Sequence, residues 1–346
     1  RLEILGAAGE RWAPSAQNWI ISALDSIPDP IQFYQQYDVS ISYSIVGGGT
    51  PPEVPEFNST AFGSPSVIQP STNGTTGWFD SGSRYSFTSV LNGSTPMERW
   101  LDSGGTCGAG CPGTPVSAGS IYAAGELISE DYTHQYHGDL GVNDASGGAI
   151  TEISTNVPGS GIDLHYLGSD WFEAGSNLNM TAAANKGWQF ESWTGSGAGA
   201  YTGTSPSIEV SVVGPLSENA TFYPQLDISA DGGTNIAFSY GSESGSVKAG
   251  TTMTLYVPPS TNVTLRASPS LFIYSFASWQ ASGLASESKP SLALVVDSPS
   301  AVRATSSFSY PVVLGVGVAA AILVILALSL LIRGRQREQL TTPPPS

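Results

Sequence analysis

Residues 187–197 read Gly-Trp-Gln-Phe-Glu-Ser-Trp-Thr-Gly-Ser-Gly, and the second half of this stretch recurs on both sides of it. The pattern Trp-x-x-Ser-Gly at 193–197 returns at 100–104 and at 279–283. An earlier Glu-Arg-Trp at 10–12 also matches the residues at 98–100. The return of one pattern at long intervals predicts an array of small modules.

The second repeated feature is a strand that starts with aromatic residues and leads into a glutamine. The three copies align their glutamines, which are Gln36, Gln135 and Gln225. After the first copy, apolar and polar residues alternate along 39–46, as in a strand with one buried face. Glycines follow each copy, where a turn can use their freedom to adopt positive φ.

The third repeated feature is Trp-Phe-acid-x-Gly-Ser at 78–83, which recurs at 171–176 and, more weakly, as Ser-Val-Lys-Ala-Gly-Thr at 246–251. Its glycine lies 18 residues before the tryptophan of Trp-x-x-Ser-Gly in both of the first two copies. Equal spacing of two independent landmarks establishes the repeat. The spacing is 29 residues in the third copy, which predicts roughly one extra strand there, near 257–259.

Composition favours short strands joined by polar turns. The 40 glycines and 24 prolines imply many turns, and only 12% of residues are charged, about half the usual share. The formal net charge of -16 argues against nucleic acid as a partner, because nucleic-acid binders need a basic face. No charged segment followed by an apolar run precedes the first module, so we expect no signal peptide in this sequence.

These observations predict an all-β fold of tandem small antiparallel β modules, followed by one C-terminal transmembrane helix. The Glu-Arg-Trp match at 10–12 predicts that the first residues are the end of an upstream repeat. The predicted boundaries are 1–32 for this tail of a truncated repeat, 33–131, 132–220 and 221–309 for β repeat modules 1 to 3, 311–332 for the transmembrane helix, and 333–346 for a cytoplasmic tail.

The predicted membrane helix is the strongest physical signal in the chain. Residues 311–332 contain no charge, and as a helix they would be about 33 Å long, enough to span a hydrocarbon core of about 30 Å. Arg333, Arg335 and Arg337 follow at once. Because basic residues favour the cytoplasmic side, we expect the tail inside the cell and the repeats outside it, at the plasma membrane.

The second copy resembles a known family of repeats. Residues 179–193 run from an aliphatic strand into Gly-Trp, x-Phe and x-x-Trp, and they are followed by another aliphatic strand at 207–213. This sequence resembles the divergent internalin-type B-repeats of bacterial and archaeal surface proteins. The third copy lacks the glycine, and the first lacks the Gly-aromatic pair. The resemblance covers most of 33–309 and implies a cell-surface module without catalytic residues.

An exported chain gives meaning to its sequons and its cysteines. The Asn-x-Ser/Thr sequons, which we expect to be mostly glycosylated, begin at Asn58, Asn73, Asn92, Asn179, Asn219 and Asn262. They lie in largely turn-like polar stretches. Cys107 and Cys111 are separated by Gly-Ala-Gly, which can close a small disulfide loop in an oxidising exterior. Free thiols are the alternative, and a metal site would need about four ligands.

Two aspartates suggest an enzyme. Asp80 and Asp102 each stand in an apolar-Asp-Ser-Gly sequence, which resembles the loops of aspartic peptidases, where two carboxylates share one proton. The sister copies replace both aspartates, and the two sequences lie within one small module. We therefore expect turns rather than a catalytic dyad, and no enzymatic activity.

Three histidines suggest a metal site. His134 and His137 form His-x-x-His, and His165 follows. The position of His134 is filled by Gln35 and Pro224 in the other copies, so we expect a solvated histidine on a strand, with no bound metal and no cofactor.

The function predicted is a structural stalk or adhesive segment of a membrane-anchored cell-envelope glycoprotein, with Trp100, Trp193 and Trp279 in the module cores. The predicted partners are the lipid bilayer through 311–332 and other cell-envelope proteins or glycans. One alternative is the membrane-proximal anchor of a surface enzyme, such as a secreted peptidase, whose catalytic domain lies upstream of Arg1. Another is a glycan-binding module. Further repeats upstream of Arg1 would favour the stalk, and glycan-array binding by 33–309 would favour the third interpretation.

Overall fold

The computed structural model describes residues 3–15, 31–102, 116–155, 168–281 and 286–339. Strands make up 61% of it, which confirms the all-β class with one C-terminal helix. The first strands are β1 (Ile4–Leu5), β2 (Glu10–Pro14), β3 (Phe33–Val46), β4 (Phe57–Ala61), β5 (Ser64–Ile68), β6 (Thr75–Asp80), β7 (Arg84–Phe87), β8 (Val90–Asn92), β9 (Glu98–Asp102), β10 (Val116–Ser120) and β11 (Glu126–Val142).

The second half of the chain continues in the same way. Its strands are β12 (Gly148–Thr155), β13 (Gly168–Glu173), β14 (Asn177–Ala184), β15 (Trp188–Gly197), β16 (Ser207–Ser211), β17 (Leu216–Ala230), β18 (Thr234–Tyr240), β19 (Glu243–Val247), β20 (Thr252–Tyr256), β21 (Thr261–Pro269), β22 (Tyr274–Ala281), β23 (Ser291–Val296) and β24 (Ser300–Phe308). The helix is α1 (Tyr310–Gln339).

The chain forms two compact units. Unit 1 contains residues 1–143, 149–183 and 192–221, and unit 2 contains the remainder. In unit 1, the long strands β3, β11 and the start of β17 lie side by side in parallel, while β2, β6, β9 and β13 pair with them in antiparallel fashion. The alternation of apolar residues predicts which face of a strand is buried, but it carries no information on the direction of the neighbouring strand.

The strand β11 serves two modules. Its first half pairs with β3 and β9, and its second half pairs with β13 and β17. The boundary predicted between residues 131 and 132 lies inside this strand. Modules 1 and 2 are therefore joined by a shared strand, without a linker between them.

A second layer of short strands completes each module of unit 1. The strands β10, β7, β4 and β5 form one sheet in that order, and β12, β14 and β16 form another. In the first module, inward residues of the long and short strands meet in a core made of Val39, Ile41, Phe57, Phe79, Phe87, Ile121 and Ile128. Alternation along β3 supplies one side of this core and the aromatic residues of the short strands supply the other.

Unit 2 follows the same plan. The second half of β17 pairs in parallel with β24 and antiparallel with β20, and β22 pairs with β24. The strands β19, β18, β21 and β23 form the second layer. Their core contains Trp279 together with aliphatic residues such as Ile228, Ile236 and Leu265.

The third copy corrects the predicted register. In the first two copies, Trp78 of β6 and Trp171 of β13 lie opposite equivalent positions of the long strands β3 and β11. In the third copy Thr254 of β20 lies opposite the equivalent position of β17, so the segment 246–251 does not pair there. The longer spacing of the third copy does hold one strand more than the second copy, since β20 and β21 lie between Gly250 and the tryptophan strand β22, whereas only β14 lies between Gly175 and β15. The location expected for it is wrong, because 257–259 connects β20 to β21 and is not a strand.

The physical reason for the wrong register is that the match detected a turn rather than a sheet partner. Thr251 donates its backbone N–H to the carbonyl of Lys248 at 3.1 Å, as Ser176 does to Glu173. The strands β13 and β20 are equivalent, since each pairs antiparallel with its long strand. The turn follows this strand in the second copy but precedes it in the third.

Candidate functional site

The three tryptophans of Trp-x-x-Ser-Gly lie inside their modules. Trp100, Trp193 and Trp279 are 1%, 0% and 1% exposed. The indole Nε1 of Trp100 donates to the carbonyl of Gly48 at 3.2 Å, and that of Trp279 donates to the carbonyl of Lys289 at 3.1 Å. Covered indole rings whose N–H groups bond to backbone cannot stack on a sugar ring, so these residues form cores rather than a glycan platform.

A pair of carboxyl groups lies next to the core of module 1. Asp102 is the buried end of β9 and faces Tyr132 of β11. Glu130 stands two residues before Tyr132 on the same strand face and is half-buried. Burial of the Glu130 carboxyl, together with the charge of Asp102 and a hydrogen bond to it, raises the pKa of Glu130 to about 7. The pair therefore holds a proton in slightly acidic solution.

Sequence reasoning missed this pair because it examined Asp102 only as part of a peptidase-like loop. The signal was present in the alternation of β11, where Ile128, Glu130, Tyr132 and His134 share a face. A carboxyl group in such an inward series needs either a proton or a partner.

Asp80 has a different role from Asp102. Its carboxylate accepts N–H bonds from the backbone of Phe62 at 2.9 Å and of Gly63 at 2.7 Å, and from the side chain of Gln36 at 3.0 Å. Phe62 has a positive φ of 55°, so these bonds hold a strained turn between β4 and β5. Asp80 thus stabilises a turn.

The structure corrects the expected exposure of His134. Its ring is 4% exposed, lies parallel to Trp100 with 4.3 Å between ring centroids, and places Nε2 2.9 Å from a carboxylate oxygen of Glu98. The equivalent position is also buried in the third copy, at Pro224, and half-buried in the first, at Gln35, so the residue types there were a poor guide to exposure. At His134, β9 places Trp100 opposite and completes the cover.

The other two histidines do not join His134 in a site that can be described. His137 packs edge-on against Trp171 at 5.3 Å, and His165 lies outside the described residues. Within the described ranges, no three His, Cys, Asp or Glu side chains come together in a group that could hold a metal ion.

An arginine, a glutamine and a tryptophan meet twice in unit 1. Arg11 lies 4.3 Å above the ring centroid of Trp78, and its Nε donates to the side-chain oxygen of Gln36 at 3.0 Å. This first clamp links β2, β3 and β6.

The second clamp repeats the first one module later. Arg99 lies 4.2 Å above Trp171 and its Nε donates to Gln135 at 2.8 Å. Since Arg99 belongs to the end of module 1 and Trp171 to module 2, this clamp fastens consecutive modules together.

The predicted disulfide of Cys107 and Cys111 lies outside the described residues, and the predicted glycosylation sites lie within them. None of the sequon asparagines is buried, but the expectation that they lie mostly in turn-like stretches is wrong. Asn73 lies in a turn, and the others lie on strands, namely Asn58, Asn92, Asn179, Asn219 and Asn262. Alternation along a strand leaves one face for polar residues, so a sequon does not require a turn.

The C-terminal helix has the length and composition of a membrane span. Among the described residues, the segment Leu314–Arg333 of α1 is long and apolar enough to cross a membrane, and none of it is buried inside the protein. A soluble core helix of this composition would be covered by other elements.

Comparison with known proteins gives one family match. Residues 166–225 match the family model of the divergent InlB B-repeat domain. No curated protein matches the chain significantly.

Several solved structures of surface proteins share a distant similarity. The major pilin T-13 of Streptococcus pyogenes is 9% identical, with coverage of 51% of this chain and 96% of the pilin and a TM-score of 0.24. The Bacillus anthracis TIE protein is 9% identical, with coverage of 76% and 48% and a TM-score of 0.24. The pilus adhesin SpaC of Lactobacillus rhamnosus GG is 8% identical, with coverage of 81% and 44% and a TM-score of 0.25.

The chain thus spans less than half of the TIE and SpaC structures, and at such low scores these similarities carry no conclusion about binding or assembly. The family match includes the Gly-Trp-x-Phe-x-x-Trp signature at 187–193. Over residues 166–225 the chain is similar to the divergent InlB B-repeat domain, the cell-surface repeat that its aromatic signature indicates.

Proposed function

We propose that this chain is a membrane-anchored stalk or adhesive segment of a cell-envelope glycoprotein, in which modules of one design hold upstream parts of the protein away from the bilayer. The observation that carries the proposal is the joining of modules 1 and 2. They share β11 and are clamped by Arg99 on Trp171. A shared strand and a clamp resist bending in a way that a linker does not.

The membrane part of the proposal is supported by the helix and by charge. The apolar span ends at Arg333, and two further arginines follow within four residues. The positive-inside tendency of such residues favours a cytoplasmic C-terminus. The accessible sequon asparagines then face the exterior, where glycosylation can occur.

The orientation can be tested on cells that carry one epitope before residue 33 and another after Ser346. External protease should remove the first epitope and leave the second intact until the membrane is permeabilised. Cleavage of the C-terminal epitope on intact cells would contradict the proposed orientation.

The stalk can be tested by removing one repeat period. Deletion of 133–222 joins Tyr132 to Tyr223 in the register that aligns Gln135 with Gln225, so the alternation of inward and outward residues is kept. The variant should reach the surface with its N-terminal epitope closer to the membrane, as measured by axial fluorescence localisation. Deletion of 133–221 is the matched control, because its one-residue shift reverses the faces and should prevent folding. An unchanged height after the in-register deletion would refute a stalk.

A further inference from the structure

A short loop of unit 2 lies at the start of the helix. The loop Ser270–Ile273 connects β21 to β22, and Ser309 donates its backbone N–H to the carbonyl of Ile273 at 2.8 Å. Ser309 directly precedes the first residue of α1. The loop and the helix start are therefore neighbours in the folded unit.

The apolar side chains of this region are unusually exposed. Leu271 is 56% exposed, Phe272 is 68% exposed and Phe308 is 56% exposed. The ring of Phe308 lies beside that of Tyr274, with 5.1 Å between their centroids. Large apolar residues that gather at one place on a surface mark a contact with a partner or a membrane.

The chain segments that contain the loop and the helix start carry no charged side chains over long stretches of sequence. Residues 267–286 and 304–332 contain no Asp, Glu, Lys or Arg. The nearby Asp231 directs its carboxylate to Ser306, whose backbone N–H and hydroxyl both donate to it. The loop itself is fixed, because Ser270 donates its backbone N–H to Gly233 at 2.9 Å and its hydroxyl to Gly232 at 3.1 Å.

The helix sets the depth at which this loop would lie. The uncharged apolar segment begins at Pro311, two positions after Ser309, and the membrane-length segment among the described residues begins at Leu314, five positions after it. At ~1.5 Å per residue Ser309 is therefore about 3 to 7.5 Å from the start of the span along the axis. The headgroup region of one leaflet is roughly 5–7 Å thick. If the span begins at the edge of the hydrocarbon, Ser309 and the loop bonded to it lie at headgroup depth.

We propose that the loop Ser270–Ile273, together with Phe308, inserts into the interfacial region of the bilayer that α1 crosses, and so fixes the membrane-proximal module against the lipid surface. This inference rests on the proposed role of α1 as a membrane anchor. Lipid is favoured over a second copy or a protein partner because the loop is hydrogen-bonded to Ser309, the residue directly before the membrane helix. Aromatic and apolar side chains next to a span are suited to the interface.

The proposal can be tested on the full chain in phosphatidylcholine nanodiscs, in a background with Cys107→Ser and Cys111→Ser. Phe272→Cys carries an environment-sensitive fluorophore, and Leu271→Cys serves as a second loop variant. The matched control is Val295→Cys. Val295 is 57% exposed and pairs with Asn262, eight residues from Ser270 along β21, or roughly 26 Å away.

Fluorophores at both loop positions should emit at shorter wavelength than the fluorophore at Val295. They should also be quenched several-fold more strongly by lipids that carry a nitroxide at the headgroup. Equal emission and quenching at loop and control would overturn the proposal. So would a blue shift that depends on protein concentration without lipid quenching, because it would indicate a second copy.

A fluorophore at Leu323→Cys distinguishes the two levels of the argument. Quenching of this position by lipids that are spin-labelled deep in the acyl chain shows that α1 is inserted. If Leu323 is quenched and Phe272 is not, the loop inference fails and the anchor stands. If Leu323 is not quenched, the anchor fails and the loop inference fails with it.

Discussion

Replacement of Glu130 by glutamine should remove a pH dependence of folding stability. In the folded chain Glu130 keeps its proton up to about pH 7, whereas in the unfolded chain it releases the proton near its ordinary value of 4.5. Between these values the folded state binds more protons, so the free energy of unfolding falls as the pH rises. The stabilising contribution is complete below about pH 4.5 and is lost by about pH 7.

The magnitude follows from the difference between the two pKa values. A rise in the pKa from 4.5 to about 7 corresponds to at most about 3.4 kcal/mol of folding stability, at 1.36 kcal/mol per pKa unit. Water reaches the half-exposed Glu130 and screens its interaction with Asp102, so we expect about 1 to 2 kcal/mol. Glutamine keeps the shape of the protonated acid and can donate a hydrogen bond to Asp102. The Glu130→Gln variant should therefore match the parent at about pH 5 and exceed it by this amount at about pH 8.

The assay is urea unfolding of the detergent-solubilised chain, followed by tryptophan fluorescence at both pH values. The control is Glu53→Gln, which changes an exposed glutamate of the same unit and should alter neither midpoint. Asp102→Asn should move the pH-dependent window of the parent downward, because it removes a neighbouring charge that raises the pKa of Glu130. An equal difference between Glu130→Gln and the parent at both pH values would refute the role assigned to the proton.

Three further predictions concern the core, the clamp and the helix. Trp193→Ala should destabilise its module by roughly 3 to 5 kcal/mol, and a variant that melts like the parent would show that the repeat register is wrong. Arg99→Ala should lower the free energy of unfolding by about 1 kcal/mol through the lost contact with Trp171. The control Arg84→Ala, at an exposed site, should leave the urea midpoint unchanged. Equal midpoints for both variants would show that the clamp does not contribute to stability. Leu323→Arg should disfavour insertion of α1 by about 3 kcal/mol, and carbonate extraction should then release more of the chain than in the parent; unchanged retention would argue against a span.

The sequence contained the local design of the modules but not all of their pairing. A tryptophan held between an alternating strand and a small-residue turn can be placed in a core from its pattern, as at Trp279. The parallel partnership of β3 with β11 could not be inferred, because alternation defines a buried face and leaves the neighbour undefined. The segment 246–251 illustrates the same limit. Its hydrogen-bonded turn repeats faithfully while the strand next to it in the sheet differs.

The candidate site was predictable to a similar extent. The charge-free span of α1 is visible in the sequence because its signal lies in consecutive residues. The environments of Glu130 and His134 are not, since each depends on the residue that β9 places beside it, Asp102 in one case and Trp100 in the other. Such cross-strand neighbours are separated by about 30 residues in the chain.

The shared strand has a consequence for how the modules respond to damage. In unit 1, β11 supplies inward residues to module 1 through Ile128 and Tyr132 and to module 2 through Leu140. Unfolding of either core removes packing partners from β11, so we expect the two modules to unfold in one cooperative transition. Modules joined in this way resist bending but cannot unfold separately, because the interfaces between neighbouring repeats carry much of the stability. The Arg99 clamp strengthens this coupling, since it joins β9 to β13, the two strands that pair antiparallel with β11.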